Sequence, residues 1–243
     1  MTALRLSYAY AGKIMNDPVV VIAAHPDDEV LGCGGAIARM AKAGRPVHVL
    51  LMADGESSRV TAESGEKGSL LLSQRNAAAE RACKILGCSS MKMLALPDNR
   101  LDSIDLLDII KFIEAFIWEF SPSTIFTHHA GDVNIDHRIV HDAVIAACRP
   151  QPGNFVKELL FFEVPSSTEW RPPGSGEFFN PNWFCDITET LEVKMAALQA
   201  YQCELRDFPH PRSLAAIDAL ARWRGASVGF KAAEAFILGR KLY

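Results

Sequence analysis

Residues 18–24, PVVVIAA, form an unbroken apolar run in which Val19, Val20, Val21 and Ile22 are all β-branched, and residue 25 ends it abruptly with a histidine. A strand that is apolar at every position has no face to give to water. It belongs inside a parallel sheet covered on both sides. Parallel neighbours are joined only by long crossovers, usually helices, so the rest of the chain must supply helices between strands.

The sequence supplies them. Val30–Ala43 has helical apolar spacing and stops at Gly44; Pro46–Met52 reads as a second strand; Asp54–Gly68 is a polar, Gly/Ser-rich loop. Ser69–Leu86 reads as a helix ended by Gly87, Met91–Leu96 as a third strand closed by Pro97-Asp98-Asn99, and Ile104–Phe120 as a helix. Ser123–Thr127 is a fourth strand and Asp136–Cys148 a helix stopped near Pro150. Four alternations of strand and helix predict an α/β fold with a parallel sheet and right-handed crossovers. Beyond Pro150 the pattern loosens. Glu158–Val164 and Trp183–Ile187 read as later strands and Pro165–Pro181 as a surface loop. Glu189–Leu205 and Leu214–Leu238 read as mostly helical. At 243 residues, with no repeat and no linker, one domain over 1–243 is expected, its C-terminal helical part from about residue 188 packed on the sheet.

Ligands of such sheets bind beyond the carboxyl ends of the strands. The first strand runs into His25-Pro26-Asp27-Asp28-Glu29; the fourth runs into His128, His129, Asp132, Asn134, Asp136 and His137. Acids in the first turn of a helix ordinarily offset its dipole, and Pro suits a helix start. A histidine at the strand exit, three residues before Asp28, is what turns that ordinary feature into half of a metal site. Catalytic zinc takes three protein ligands and keeps a position for water. His25 and Asp28 make two, and His137 a third. His141 lies one helical turn further on, but without an adjacent Glu the pair lacks the zinc-protease signature.

The stretch AAHPDDEVLGCGG resembles the signature of the PIG-L/LmbE-like deacetylase family, and GDVNIDHR resembles that family's second motif, written His-x-Asp-His. The resemblance runs from about Val19 to at least Val144 and extends weakly to Ala233–Phe236. It implies a Rossmann-like three-layer sandwich with a mostly parallel sheet, and zinc-dependent removal of N-acetyl groups, mostly from amino sugars. It implies His25, Asp28 and His137 as zinc ligands and Asp27 as the general base. A carboxylate beside the metal but not bound to it is suited to take a proton. Where the family's second motif begins with His, this chain has Asn134. An amide can donate a hydrogen bond to an oxyanion but cannot cycle a proton, so Asp27 must return the proton, or His128, His129 or His210 takes the role. Arg75 and Asp98 match the family's sugar-contacting positions. Glu56 and Arg59, after the second strand, are weaker candidates for substrate contact. His210, in the rigid segment FPHPR, is placed with the substrate, while Arg212, Arg222 and Arg224 form a basic cluster that could grip a phosphate or carboxylate on the substrate but reads first as the solvated face of a helix.

Other readings are less well supported. Gly32-Cys33-Gly34-Gly35 does not match G-x-G-x-x-G and starts too late after the strand for dinucleotide binding. An amidase acting on a thiol-sugar conjugate would use the same ligands, and a non-enzymatic member has Asn134 as its one support. A net charge of −4 gives no footprint for nucleic acid and no patch for a lipid surface. No apolar run approaches the roughly 20 residues of a membrane span, and Met1–Asp17 lacks the apolar core of a signal peptide. Six scattered cysteines with no CxxC pair read as reduced thiols of a cytoplasmic protein. The expected partner is a small-molecule amino sugar, with self-association to a homo-oligomer left open.

Overall fold

The computed structural model describes residues 17–58 and 65–243, with the backbone alone for 65–69. Arg59 and residues 1–16 lie outside the described part. The strands are β1 (Val19–Ala23), β2 (Val47–Ala53), β3 (Ser90–Leu96), β4 (Thr124–His128), β5 (Glu158–Phe162), β6 (Trp183–Asp186) and β7 (Ala233–Lys241). The helices are α1 (Asp28–Lys42), α2 (Gly65–Leu86), α3 (Leu106–Phe120), α4 (Ile135–Ala147), α5 (Leu191–Gln199) and α6 (Leu214–Ala226). Among the described residues the strands form one sheet in the order β3-β2-β1-β4-β5-β7-β6, parallel except for β7.

The β1 run behaves as its composition requires. Every residue from Val19 to Ala23 is buried, with Val21 paired to Val49 on one side and to Phe126 on the other. Successive side chains feed opposite faces. Val19, Val21 and Ala23 enter a core made with α1, α2, α5 and α6. Val20 and Ile22 enter a second core made with α3 and α4. The result is a three-layer α/β sandwich of Rossmann type. The chain winds outward from β1 to β3, then returns across the other face to β4. The strand order therefore reverses between β1 and β4, which makes their carboxyl ends the natural place for a ligand.

The helix expected over Leu214–Leu238 ends at Ala226, and Ala233–Lys241 is instead the strand β7. Ala, Glu and Lys are good helix formers, but such preference is small per residue and yields to tertiary pairing. Pairing Leu238 with Leu160 and Glu234 with Cys185, between two waiting strands, outweighs that preference. Gly229, at φ 83°, makes the turn between them. The helix expected over Glu189–Leu205 is shorter, Leu191–Gln199, and α2 begins at Gly65, inside the expected loop.

β7 also finishes α1, which is broken at Cys33 (φ −147°) so that its second half begins anew near Gly34. The Glu234 carboxylate accepts the buried N–H groups of Gly35 (2.9 Å) and Ala36 (2.7 Å) at that new start. Lys194 from α5 donates to the Leu31 carbonyl (2.8 Å), at the end of the first half, and to Glu234 (2.7 Å). A break inside a helix orphans backbone groups on both sides, and this buried pair meets two N–H groups on one side and a carbonyl on the other.

Candidate metal centre and active site

The site begins where β1 stops. Pro26 turns the chain, and Asp27 stands at the N-cap of α1 with φ 114°, left-handed backbone rarely adopted by a residue other than glycine. Such a conformation costs roughly 1–3 kcal/mol and persists where the surroundings impose it. Its effect is to separate two adjacent carboxylates. Asp28 points inward; Asp27 makes no cap hydrogen bond and faces Arg212, whose Nη1 donates to Oδ2 at 3.1 Å.

β4 brings the complement. After its last residue, His128, the loop to α4 carries Asp132 and Asn134, and the first turns of α4 carry Asp136 and His137. His25 Nδ1, Asp28 Oδ2 and His137 Nε2 then stand at the corners of a triangle with edges of 3.3, 3.2 and 3.3 Å. Ligand atoms about 2.0–2.1 Å from a tetrahedral zinc ion lie about 3.3–3.4 Å apart, so the three donors fit that ion. All three residues are buried, and Asp28 Oδ1 has no hydrogen-bond partner among the described residues.

Carboxylates stand behind both histidines. His25 Nε2 lies 3.1 Å from both Asp98 Oδ1 and Asp136 Oδ2, and His137 Nδ1 lies 3.1 Å from Asp132 Oδ2. At His25 a proton held on Nε2 and given to Asp136 leaves the Nδ1 lone pair for a cation, while His137 Nδ1 stands near Asp132 without hydrogen-bond geometry. Asp136 is fixed by the Leu101 N–H (3.0 Å), and Asp132 by the hydroxyls of Ser167 and Thr168 and the N–H of Asn134. The charges follow from this layout. Burial alone would depress His137, but the Asp28 and Asp132 carboxylates outweigh it and push the imidazole up to about 9. Burial opposes protonation of His25 too, and Asp136, Asp28 and Asp98 outweigh it. Burial raises the Asp28 carboxyl, yet the two imidazoles hold it well below the usual range. The pocket is built for positive charge. Asp27, outside the triangle, differs. Burial pushes it up to about 6, against the pull of Arg212.

An open cleft beside the triangle is lined by His25, Asp27, Arg75, Asp98, Asn134 and Arg212 among others. Arg75 is not an exposed helix charge. It is buried and held by Glu56 (2.8 Å), Glu204 and the Gly55 carbonyl, with Nη1 lacking a hydrogen-bond partner among the described residues. Asp98 lines the cleft but also backs His25; burial raises its carboxyl, and bonds from His25 and Ser58 outweigh this and hold it at about 2. Asn134 caps α4, its Oδ1 accepting the Asp136 N–H (2.8 Å), while Nδ2 donates to Asn99 at the cleft (3.0 Å).

The candidate replacement acids are occupied elsewhere. His128 is fully buried, and its Nε2 accepts the Ala24 N–H at 2.8 Å. His129 meets the Glu177 carbonyl at 3.0 Å, and His141 meets the His128 carbonyl at 2.8 Å. His210 does not line the cleft; its Nδ1 accepts the Arg212 N–H (3.0 Å) and its ring packs near-perpendicular to Trp170. Arg212, read from sequence as a solvated charge, is the residue of that segment that reaches Asp27. Arg222 remains on the surface with Asp218, and Arg224 pairs with Glu163. Glu204 gave no signal in the sequence, because the segment that carries it comes to the cleft only in the fold.

The PIG-L family model, described as GlcNAc-PI de-N-acetylase, matches residues 20–148, a span that contains the whole triangle and more than half of the chain. This chain belongs to the PIG-L family. It is 32% identical over 190 residues to YaiS, an uncharacterized deacetylase of Escherichia coli, with 76% of this chain and 90% of YaiS covered. To a probable N-acetyl-alpha-D-glucosaminyl L-malate deacetylase of Bacillus cereus it is 28% identical over 192 residues, covering 78% and 84% of the two chains. The fold is also that of a hydratase. GalB, the 4-carboxy-2-hydroxymuconate hydratase of Pseudomonas putida, superposes with a TM-score of 0.74 at 22% identity, covering 93% of this chain and 98% of that one.

Proposed function

We propose that the protein is a zinc-dependent hydrolase that removes the N-acetyl group from an N-acetylglucosamine-type amino sugar. The observation that carries this reading is the His25–Asp28–His137 triangle, of zinc dimensions, with a carboxylate that is not part of it, Asp27, alongside. Membership of the PIG-L family and deacetylase relatives support the reaction class. The six free thiols support a reducing compartment such as the cytoplasm. Among the described residues no helix is long and apolar enough to cross a membrane.

Zinc held by the triangle would supply Lewis acidity toward the acetamide carbonyl and toward water. The residues of the chain do the rest. Asp27, poised near neutrality, takes the proton from the attacking water. The water oxygen bonds to the carbonyl carbon, and Asn134 Nδ2, on the cleft wall, donates to the oxygen that gains charge. Asp27 then returns its proton to the nitrogen as the C–N bond breaks, giving acetate and a free amine. Arg212 holds Asp27 in place, while Arg75 and Asp98 face the sugar.

Acetate release from a panel of N-acetylhexosamine derivatives, with zinc added, tests the proposal. Zinc-loaded protein that frees acetate from none of them overturns it; addition of water to an unsaturated acid by the same protein would place it with GalB instead.

A further inference from the structure

We propose that Tyr201 is a positioning residue for the base: through Glu29 it locks the left-handed backbone of Asp27, and so keeps the Asp27 carboxylate free for the cleft. The inference rests on the hydrolase reading above, which gives Asp27 its task. Glu29 and Tyr201 are both buried, behind the residues that line the cleft. The Tyr201 hydroxyl donates to Glu29 Oε1 at 2.6 Å, and Glu29 Oε2 accepts the Asp27 N–H at 3.0 Å. Two hydrogen bonds therefore join the phenol to the backbone of the base.

The linkage matters because Asp27 has an alternative of lower energy. An aspartate at a helix N-cap ordinarily has extended backbone, and its carboxylate accepts the N–H of the second or third helical residue. For Asp27 these are Glu29 and Val30. Instead φ is 114°, the carboxylate makes no cap hydrogen bond, and the Asp27 carbonyl takes the Val30 N–H (3.0 Å). Backbone of this kind persists only where its surroundings over-determine it. In a capping box a glutamate reaches back to the N-cap N–H from the third helical residue. Here Glu29 does so from the second, with Tyr201 holding its other oxygen. Relaxation to the ordinary cap would turn the Asp27 carboxylate onto α1 and withdraw it from the attacking water. The same stretch of chain also holds the other end of the base. Tyr201 lies just past α5, and the Glu204 N–H donates to its carbonyl (2.9 Å). Glu204 accepts from Arg212 (3.3 Å), which donates to Asp27 Oδ2 (3.1 Å). One turn, 201–204, thus fixes Asp27 twice, by its N–H through Glu29 and by its carboxylate through Arg212.

The test compares acetate release from N-acetylglucosamine by zinc-loaded wild type, Tyr201→Phe, Asp27→Asn and the double variant. Tyr201→Phe keeps the ring and removes one hydroxyl. It is expected to lower kcat about ten- to a hundredfold, the weight of a hydrogen bond to a charged group, with KM within about twofold and the zinc retained. In the Asp27→Asn background the same change should cost less than about twofold, because its effect passes through Asp27. An equal loss in both backgrounds marks a general loosening of the fold and overturns the proposal. Glu29→Gln still offers an acceptor to the Asp27 N–H and should exceed Glu29→Leu at least about tenfold in kcat; equal values for the two overturn it as well. Crystal structures of metal-free wild type and Tyr201→Phe give a readout that needs no turnover. Residue 27 should have positive φ in the first, and negative φ with its carboxylate capping α1 in the second. The same φ in both refutes the lock. If wild type frees no acetate, the hydrolase reading fails on its own for that sugar, and the backbone of residue 27 still decides the lock.

Discussion

Changing Glu234 to Gln tests whether the buried pair behind α1 holds the site's supporting helix. Glu234 is 5% exposed and Lys194 4%, and they share a 2.7 Å contact. The substitution keeps the volume but removes the countercharge of the buried ammonium, and leaves one acceptor oxygen where two carboxylate oxygens served Lys194, Gly35 and Ala36. It also sets an amide N–H against one of the two N–H groups of Gly35 and Ala36. Breaking one partner of a buried pair costs about 3–5 kcal/mol. For a protein of this size each kcal/mol shifts Tm by roughly 2–4 °C, so a fall of about 6–20 °C is expected. Thermal and urea denaturation followed by circular dichroism, at fixed zinc, measure it. The companion is Lys194→Met/Glu234→Gln, which removes the stranded charge and should be more stable than Glu234→Gln alone. A single-mutant loss below about 1 kcal/mol, or a double mutant that loses the sum of both singles, would refute the argument.

Purified protein should carry about one zinc per chain, and His25→Ala/His137→Ala should carry none; equal metal in both by elemental analysis rejects the triangle. Asp27→Asn should keep its metal, tolerate the left-handed backbone, and lose roughly 10²- to 10⁴-fold in activity; loss of metal instead would make Asp27 a ligand. The metal-free protein should lose stability as pH rises. With its folded value raised from 6.5 to about 9, His137 binds more protons folded than unfolded, so its contribution is complete below 6.5 and lost through about 9. Tm of chelator-treated protein that stays flat or rises from pH 6.5 to 9 contradicts this. Asn134→Ala should cost about 1 kcal/mol through the lost helix cap and also lower kcat. Asn134→Asp keeps the cap acceptor and removes the amide donor, so a kcat equal to wild type in that variant would remove Asn134 from the reaction.

The triangle was legible in the sequence because its ligands follow two strands that announce themselves, His25 and Asp28 after β1 with its β-branched run, and His137 in the first turn of the helix after β4, which alternation with helices marks. The supports were less so. Asp132 and Asp136 were visible only as further acids in a rich loop, since nothing in their spacing says which histidine nitrogen they face. His128 stood open as a replacement for the missing acid until the fold set its Nε2 against the Ala24 N–H. Arg212 and Glu204 are more than 170 residues from Asp27 along the chain, and no local pattern links them. Strand β7 was hidden because its Ala- and Glu-rich opening carries a helix preference, and only the gap between β5 and β6 makes it a strand.

That gap has a consequence for how the protein is made. β6 is synthesised about fifty residues before β7, yet β7 is its pairing partner in the sheet and also covers the outer edge of β5. At ribosomal speeds of about 5–20 residues per second, both edges wait for seconds with open backbone groups. The break in α1 waits as well, since its cap, Glu234, arrives with the same strand. The three ligands are synthesised early, but the helix beneath them stays unlatched until β7 emerges. A ribosome stalled between residues 190 and 230 should hold a nascent chain with its sheet still sticky, a natural substrate for chaperones.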